Sequence, residues 1–191
     1  MTHKSSVILS LSRDQLPPRR GRGACFTILA ALLFLACEIV QCVADEGGPT
    51  VLDKGLFSYQ APPGWTVPEM NLAHPVAVGP MKDGFAPNLH VDIKPNAKPM
   101  KEFVADNLSA VRAAFPNYKL VDQRPFFTAA GLDGSRVMIT DTVGRFHLQQ
   151  IFYFFDGGSN QVLVISASCL AADGVREAPI FDASIKTFSL E

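Results

Sequence analysis

The chain has 191 residues, 48% hydrophobic and 18% charged, and 17 Lys and Arg against 18 Asp and Glu give a net charge of −1. That balance gives nucleic acid no electrostatic footprint to bind. Four cysteines, three of them within the first 42 residues, do not make a disulfide scaffold.

The chain opens with Lys4, Arg13, Arg19, Arg20 and Arg22 against one acid, Asp14, and then runs uncharged from Ala24 to Cys37. A spanning helix needs roughly 20 apolar residues, and this run of 14 fits the core of a signal peptide instead. Cys42 and Ala44 are small, as a signal peptidase requires, so residues 1–44 are read as a leader with cleavage after Ala44. Two other fates stay open. Ile39, Val40 and Val43 extend the apolar character for a retained anchor, and Leu35-Ala36-Cys37 resembles a lipobox with Cys37 acylated. Only through such a leader would the protein meet a membrane. Removing it takes five of the basic and two of the acidic residues, leaving 12 against 16 and a charge of −4. Cys169 is then the one remaining cysteine, in an apolar run where a buried thiol behaves as a small hydrophobe.

Residues 45–50 are polar and Gly-rich and read as a short tether, with a single domain over 51–191. Leu56–Ala61 reads as a strand that ends at the turn Pro62-Pro63-Gly64 before Trp65. His74–Val78 reads as a second strand. Leu89–Ile93 reads as a third, with Leu89, Val91 and Ile93 on one face and His90 and Asp92 on the other. A helix is expected over 99–115. Pro99 suits its first turn, and Met100, Val104, Leu108, Val111 and Phe115 form its apolar stripe. Tyr118–Gln123 leads to Pro125, and Gly131-Leu132-Asp133-Gly134 is a turn. Three strands follow, 136–142, 146–155 and 161–169, whose short links require an antiparallel meander. The middle strand is apolar on both faces, with Phe146, Leu148, Phe152 and Phe154 on one and Ile151, Tyr153 and Phe155 on the other. Each face therefore needs a cover: the helix over 99–115 for one, and a second helix over 174–187 with Ile180 and Ile185 for the other or beside the first. The fold class is α+β, a sandwich on a mainly antiparallel sheet.

This ordered set resembles the PsbP-like family, which includes Mog-type Ran-binding proteins and DcrB-like bacterial envelope proteins. The likeness starts at Phe57-Ser58-Tyr59-Gln60-Ala61-Pro62-Pro63-Gly64-Trp65 and ends at Phe181-Asp182-Ala183-Ser184-Ile185-Lys186-Thr187-Phe188. It implies an α/β/α sandwich and an accessory role without catalysis, through contacts with an envelope protein as yet unknown.

Few residues suggest chemistry. His90 and Asp92 share a strand face and would be two ligands of a metal site that lacks a third, the alternative being a solvated or hydrogen-bonded strand face. His147 and Gln149 pair in the same way. Ser166 and Ser168 lie mid-strand without a Gly-x-Ser-x-Gly elbow. Trp65 and Phe152, Tyr153, Phe154 and Phe155 line either a ligand groove or the core. No motif calls for a cofactor.

Overall fold

A computed structural model of the chain describes residues 48–53 and 55–191. The leader at 1–44, with its three fates, lies outside the described residues. Among the described residues nine strands and two long helices follow in chain order: β1 (Thr50–Asp53), β2 (Phe57–Gln60), β3 (Val76–Val78), β4 (Asn88–Pro95), α1 (Met100–Ala114), β5 (Lys119–Phe127), β6 (Asp133–Val143), β7 (Phe146–Gly158), β8 (Gln161–Leu170), α2 (Gly174–Lys186) and β9 (Ser189–Leu190). A 3₁₀ turn at Ala171–Asp173 leads into α2.

Six strands form one sheet in the order β3-β4-β8-β7-β6-β5, and three form a second in the order β1-β2-β9, every pairing antiparallel. The hairpins have the sharp turns that their composition requires. Gly144 has φ 58° in the β6–β7 turn, while Ser159 and Asn160, at φ 49° and 59°, both take the left-handed region between β7 and β8. Pro125 lies in β5, at the sheet's edge, where its missing N–H breaks no ladder bond.

Both faces of the six-stranded sheet are covered, as the doubly apolar β7 requires. α1 lies on one face, with Val104 and Val111 against Val137, Ile139, Phe152, Phe154, Val162 and Val164. On the other, α2 and the small sheet together bury Ile151, Tyr153, Phe155, Leu163 and Ile165 beneath Phe57, Phe181, Ile185 and Phe188. Phe188, between α2 and β9, stacks on Phe57 at 5.4 Å and on Phe155 at 6.0 Å, tying the small sheet to the six-stranded one. The fold is an α/β/α sandwich with a strand layer beside α2.

Three local expectations change. The buried stripe of α1 is Val104, Asn107 and Val111, with Leu108 only half-buried, and Pro99 caps the helix instead of sitting inside it. The buried stripe of α2 runs through Glu177, Phe181, Ser184 and Ile185, with Ile180 half-buried. The turn after β5 is complete before Asp133, so Gly134 is a strand residue. It is glycine because a Cβ there would overlap the Phe154 carbonyl oxygen and the Phe155 ring.

Candidate functional site

Two clefts open side by side where β8 passes through the 3₁₀ turn into α2, and they share Leu170 as a wall. The larger, about 380 Å³, lies between the β6–β7 turn and the 3₁₀ turn; Arg145, Phe146 and His147 face Ala171 and Ala172. The smaller, about 180 Å³, lies between the loop that carries Trp65 and Met81 and the start of α2. Local sequence places these walls. Asp83 and Gly84, at φ 51° and 79°, close a two-residue hairpin in which Lys82 bridges Phe85, and this holds Met81 and Lys82 over the cleft. Trp65 meets Phe181 of α2 edge-on at 5.8 Å. Gly79 lets the Trp65 indole approach the backbone closely.

The charges of the smaller cleft are paired with one another. Lys82 Nζ meets Asp173 Oδ1 at 2.6 Å, and Arg176 Nη2 reaches Glu177 Oε1 at 2.7 Å and Asp173 Oδ1 at 3.3 Å. The Lys82 hydrogen bond holds the Asp173 carboxyl below its usual range. Cys169 also borders this cleft. Burial, with Glu177 and Asp173 nearby, pushes its thiol up to about 12. At neutral pH it carries its proton, and a protonated thiol is a poor nucleophile. In the larger cleft the Arg145 guanidinium lies 4.9 Å from the centre of the Phe146 ring, a cation–π contact. His147 Nδ1 lies 2.9 Å from the Asp141 carbonyl oxygen. These walls offer apolar surface edged with satisfied charge, and that suits docking better than proton transfer.

A second polar cluster ties α2 to the sheet. Arg136, 1% exposed, donates from Nε to Asp182 Oδ1 at 2.6 Å and from Nη1 to Asp122 Oδ2 at 3.0 Å. Tyr153 donates its hydroxyl to the same Asp182 oxygen at 2.6 Å, and Arg124 reaches Asp182 Oδ2 at 3.0 Å. Burial, and then the Asp182 charge, pushes the Tyr153 hydroxyl far above its usual value, which keeps it a donor. Every partner in this cluster is satisfied, which marks it as a clamp between β5, β6, β7 and α2.

The residues that sequence reasoning singled out are scattered. His90 and Asp92 do share a face of β4, with Nε2 and Oδ1 3.7 Å apart, and Lys94 Nζ stands 3.2 Å from Asp92 Oδ2. Burial raises the Asp92 carboxyl, but His90 and Lys94 outweigh it and hold it below 3.8. Lys94 thus presents an ammonium to one carboxylate oxygen while His90 faces the other. Among the described residues no group of three His, Cys, Asp or Glu converges. His74 Nδ1 is 2.7 Å from Asp53 Oδ2. Gln149 turns inward and donates to the Gly174 carbonyl, away from the exposed His147. Ser166 lies opposite His90 across the β4–β8 ladder, yet its hydroxyl is buried and bonds to no described residue. The base-to-nucleophile hydrogen bond that hydrolysis needs is therefore missing from this pair. The four meander aromatics are core and are divided between the two faces; only Trp65 borders a cleft. Sequence reasoning missed the cleft walls at Lys82, Phe146, Asp173 and Glu177. It also missed Asn107, whose polar side chain between Val104 and Val111 was a legible break in an apolar stripe.

No family model matches the chain, and no curated protein matches it in sequence. Solved structures do match its fold. LpqN of Mycobacterium tuberculosis, described as involved in cell envelope biogenesis, is 11% identical, with a TM-score of 0.55 over 72% of this chain and 86% of that one. CyanoP, the cyanobacterial PsbP of Synechocystis, is 12% identical, with a TM-score of 0.53 over 81% of this chain and 99% of that one. The Ran-binding protein Mog1p of Saccharomyces cerevisiae is 12% identical, with a TM-score of 0.53 over 78% and 96%. The chain therefore has the PsbP-like fold, as the ordered motifs implied. Among the described residues no helix is long and apolar enough to cross a membrane.

Proposed function

We propose that the protein is an exported, non-enzymatic accessory protein that binds a partner protein of the cell envelope through the paired clefts. The observation that carries this reading is the surface around them. Met81 is 49% exposed over the smaller cleft, and Val175, between Asp173 and Arg176, is 93% exposed. Apolar side chains held out beside a concave, charge-satisfied surface are the composition of a protein-contact patch. The leader expected at 1–44 supports the compartment, and LpqN, a protein of the same fold, is described in envelope terms.

The test is cross-linking and affinity capture of the tagged full chain from the envelope fraction, beside the double variant Met81→Asp, Val175→Asp. Both side chains are exposed, so the variant should keep the circular dichroism spectrum of the parent. The expected result is a reproducible partner that the parent captures and the variant loses. Absence of any such partner, or equal capture by the variant, overturns the reading.

A further inference from the structure

Three Lys and Arg side chains and three acids line the paired clefts, so their charges cancel. They do not lie at the same depth. The Lys82 and Arg176 side chains are 53% and 61% exposed, whereas Asp173 and Glu177, with which they pair, are 13% and 11% exposed. The cationic heads therefore stand outward over carboxylates that are nearly buried. Arg145 is exposed at the larger cleft and bonds to no carboxylate among the described residues. Asp83 is the one exposed acid of the lining.

Arg145 is also held in place. Its guanidinium lies 4.9 Å from the centre of the Phe146 ring, and that ring meets Phe85 edge-on at 5.5 Å. Arg145 Nη2 comes so close to Gly84 that a Cβ there would lie 2.8 Å from it. A cation held this way loses little freedom when a partner binds, and arginine so placed is a frequent dominant contact at interfaces. Beside it, His147 Nδ1 faces the Asp141 carbonyl oxygen, which can only accept. Nδ1 therefore carries a proton, and Nε2 is the nitrogen left to a partner. Because the lining sums to zero, the charge of −4 on residues 45–191 is carried elsewhere on the domain. An acidic segment is repelled there and meets cations here.

We propose, resting on the reading that the paired clefts are the docking surface, that the partner segment filling them is acidic, with Asp or Glu interleaved among apolar residues. Its carboxylates meet Arg145, Lys82 and Arg176. Its apolar side chains enter the larger cleft against Phe146, Leu170 and Ala171 and cover Met81 and Val175. Asp83 sets a limit within the segment: the position that faces it is uncharged or basic. A lipid surface of the same charge fits less well, because a flat bilayer does not reach into concave walls.

The probe is a rhodamine-labelled peptide, Leu-Glu-Phe-Glu-Leu-Glu-amide, titrated with the full chain and read by fluorescence anisotropy. Its counterpart with Gln at each Glu should bind about tenfold more weakly. Raising salt from about 0.05 M to about 0.5 M should weaken the Glu peptide and leave the Gln peptide unchanged. Arg145→Glu should cost the Glu peptide about tenfold. Arg145 is exposed, so this variant should keep the parent's circular dichroism. Arg112→Glu, the same charge change on α1 and outside both clefts, should bind as the parent does. Phosphatidylglycerol vesicles should not displace the peptide. No binding by the Glu peptide, equal binding of both peptides, indifference to Arg145→Glu, or displacement by the vesicles overturns the proposal. Affinity capture separates it from the reading beneath it. A partner lost by Met81→Asp, Val175→Asp but held by Arg145→Glu leaves the docking surface standing and overturns the acidic segment.

Discussion

At the scale of single residues, Asp141 is the group whose environment costs most. Burial pushes its carboxyl up from 3.8 to about 6, against the Gln150 hydrogen bond and His147, both of which pull it down. The folded state therefore holds this proton more tightly than the unfolded state does. The side chain's contribution is fully favourable below about pH 4, is lost as pH rises towards 6, and costs about 3 kcal/mol above that. Asp141→Asn keeps an oxygen for Gln150 and removes the charge. It should match the parent at pH 4 and exceed its stability by about 2–3 kcal/mol at pH 7, read by urea unfolding at both values. Identical pH profiles for parent and variant would count against the assignment. None of this was visible in the sequence, where Asp141 is one of 18 acids. Its burial depends on α1 lying over β6, and only the folded chain brings that about.

At the scale of elements, periodicity served well wherever an element is long. The α1 stripe and the two-faced apolar pattern of β7 both led to the right layers, because 15 and 13 residues repeat a pattern several times. β1 and β9, at four and two residues, hold no repeat to read, and their pairing is what makes them strands. The turn read at Gly131–Gly134 was misplaced for a related reason. Glycine signals a turn by default, but Gly134 serves the close approach of β6 to β7. Gly134→Ala should therefore destabilise the β6–β7 ladder by about 1–3 kcal/mol, the usual cost of overpacking. Ala130→Gly, in the true turn nearby, is its control and should cost less. The two can be ranked by denaturation midpoint, and a harmless Gly134→Ala would show that the strands are free to separate there. The clefts were illegible because Trp65, Lys82, Phe146 and Glu177 meet only after packing.

At the scale of the whole molecule, β7 supplies alternate side chains to both cores. Phe154 belongs to the layer under α1 and Phe155 to the layer under α2 and the small sheet. Phe154→Ala and Phe155→Ala should each cost about 3–5 kcal/mol. Both should leave one cooperative transition, seen as coincident near- and far-ultraviolet dichroism, since neither core exists without the strand they share. Two separated transitions would mean that the layers fold alone. The small sheet sets a further condition. Its central strand, β2, forms near the start of the domain, yet its partner β9 holds nearly the last residues, and Ser58 and Ser189, 131 positions apart, join hydroxyls across that pair. Closing so long a loop carries an entropic cost that only the packed segments between the two strands offset. The small sheet therefore acts as a clasp, holding two distant stretches of the chain together only while everything between them is folded.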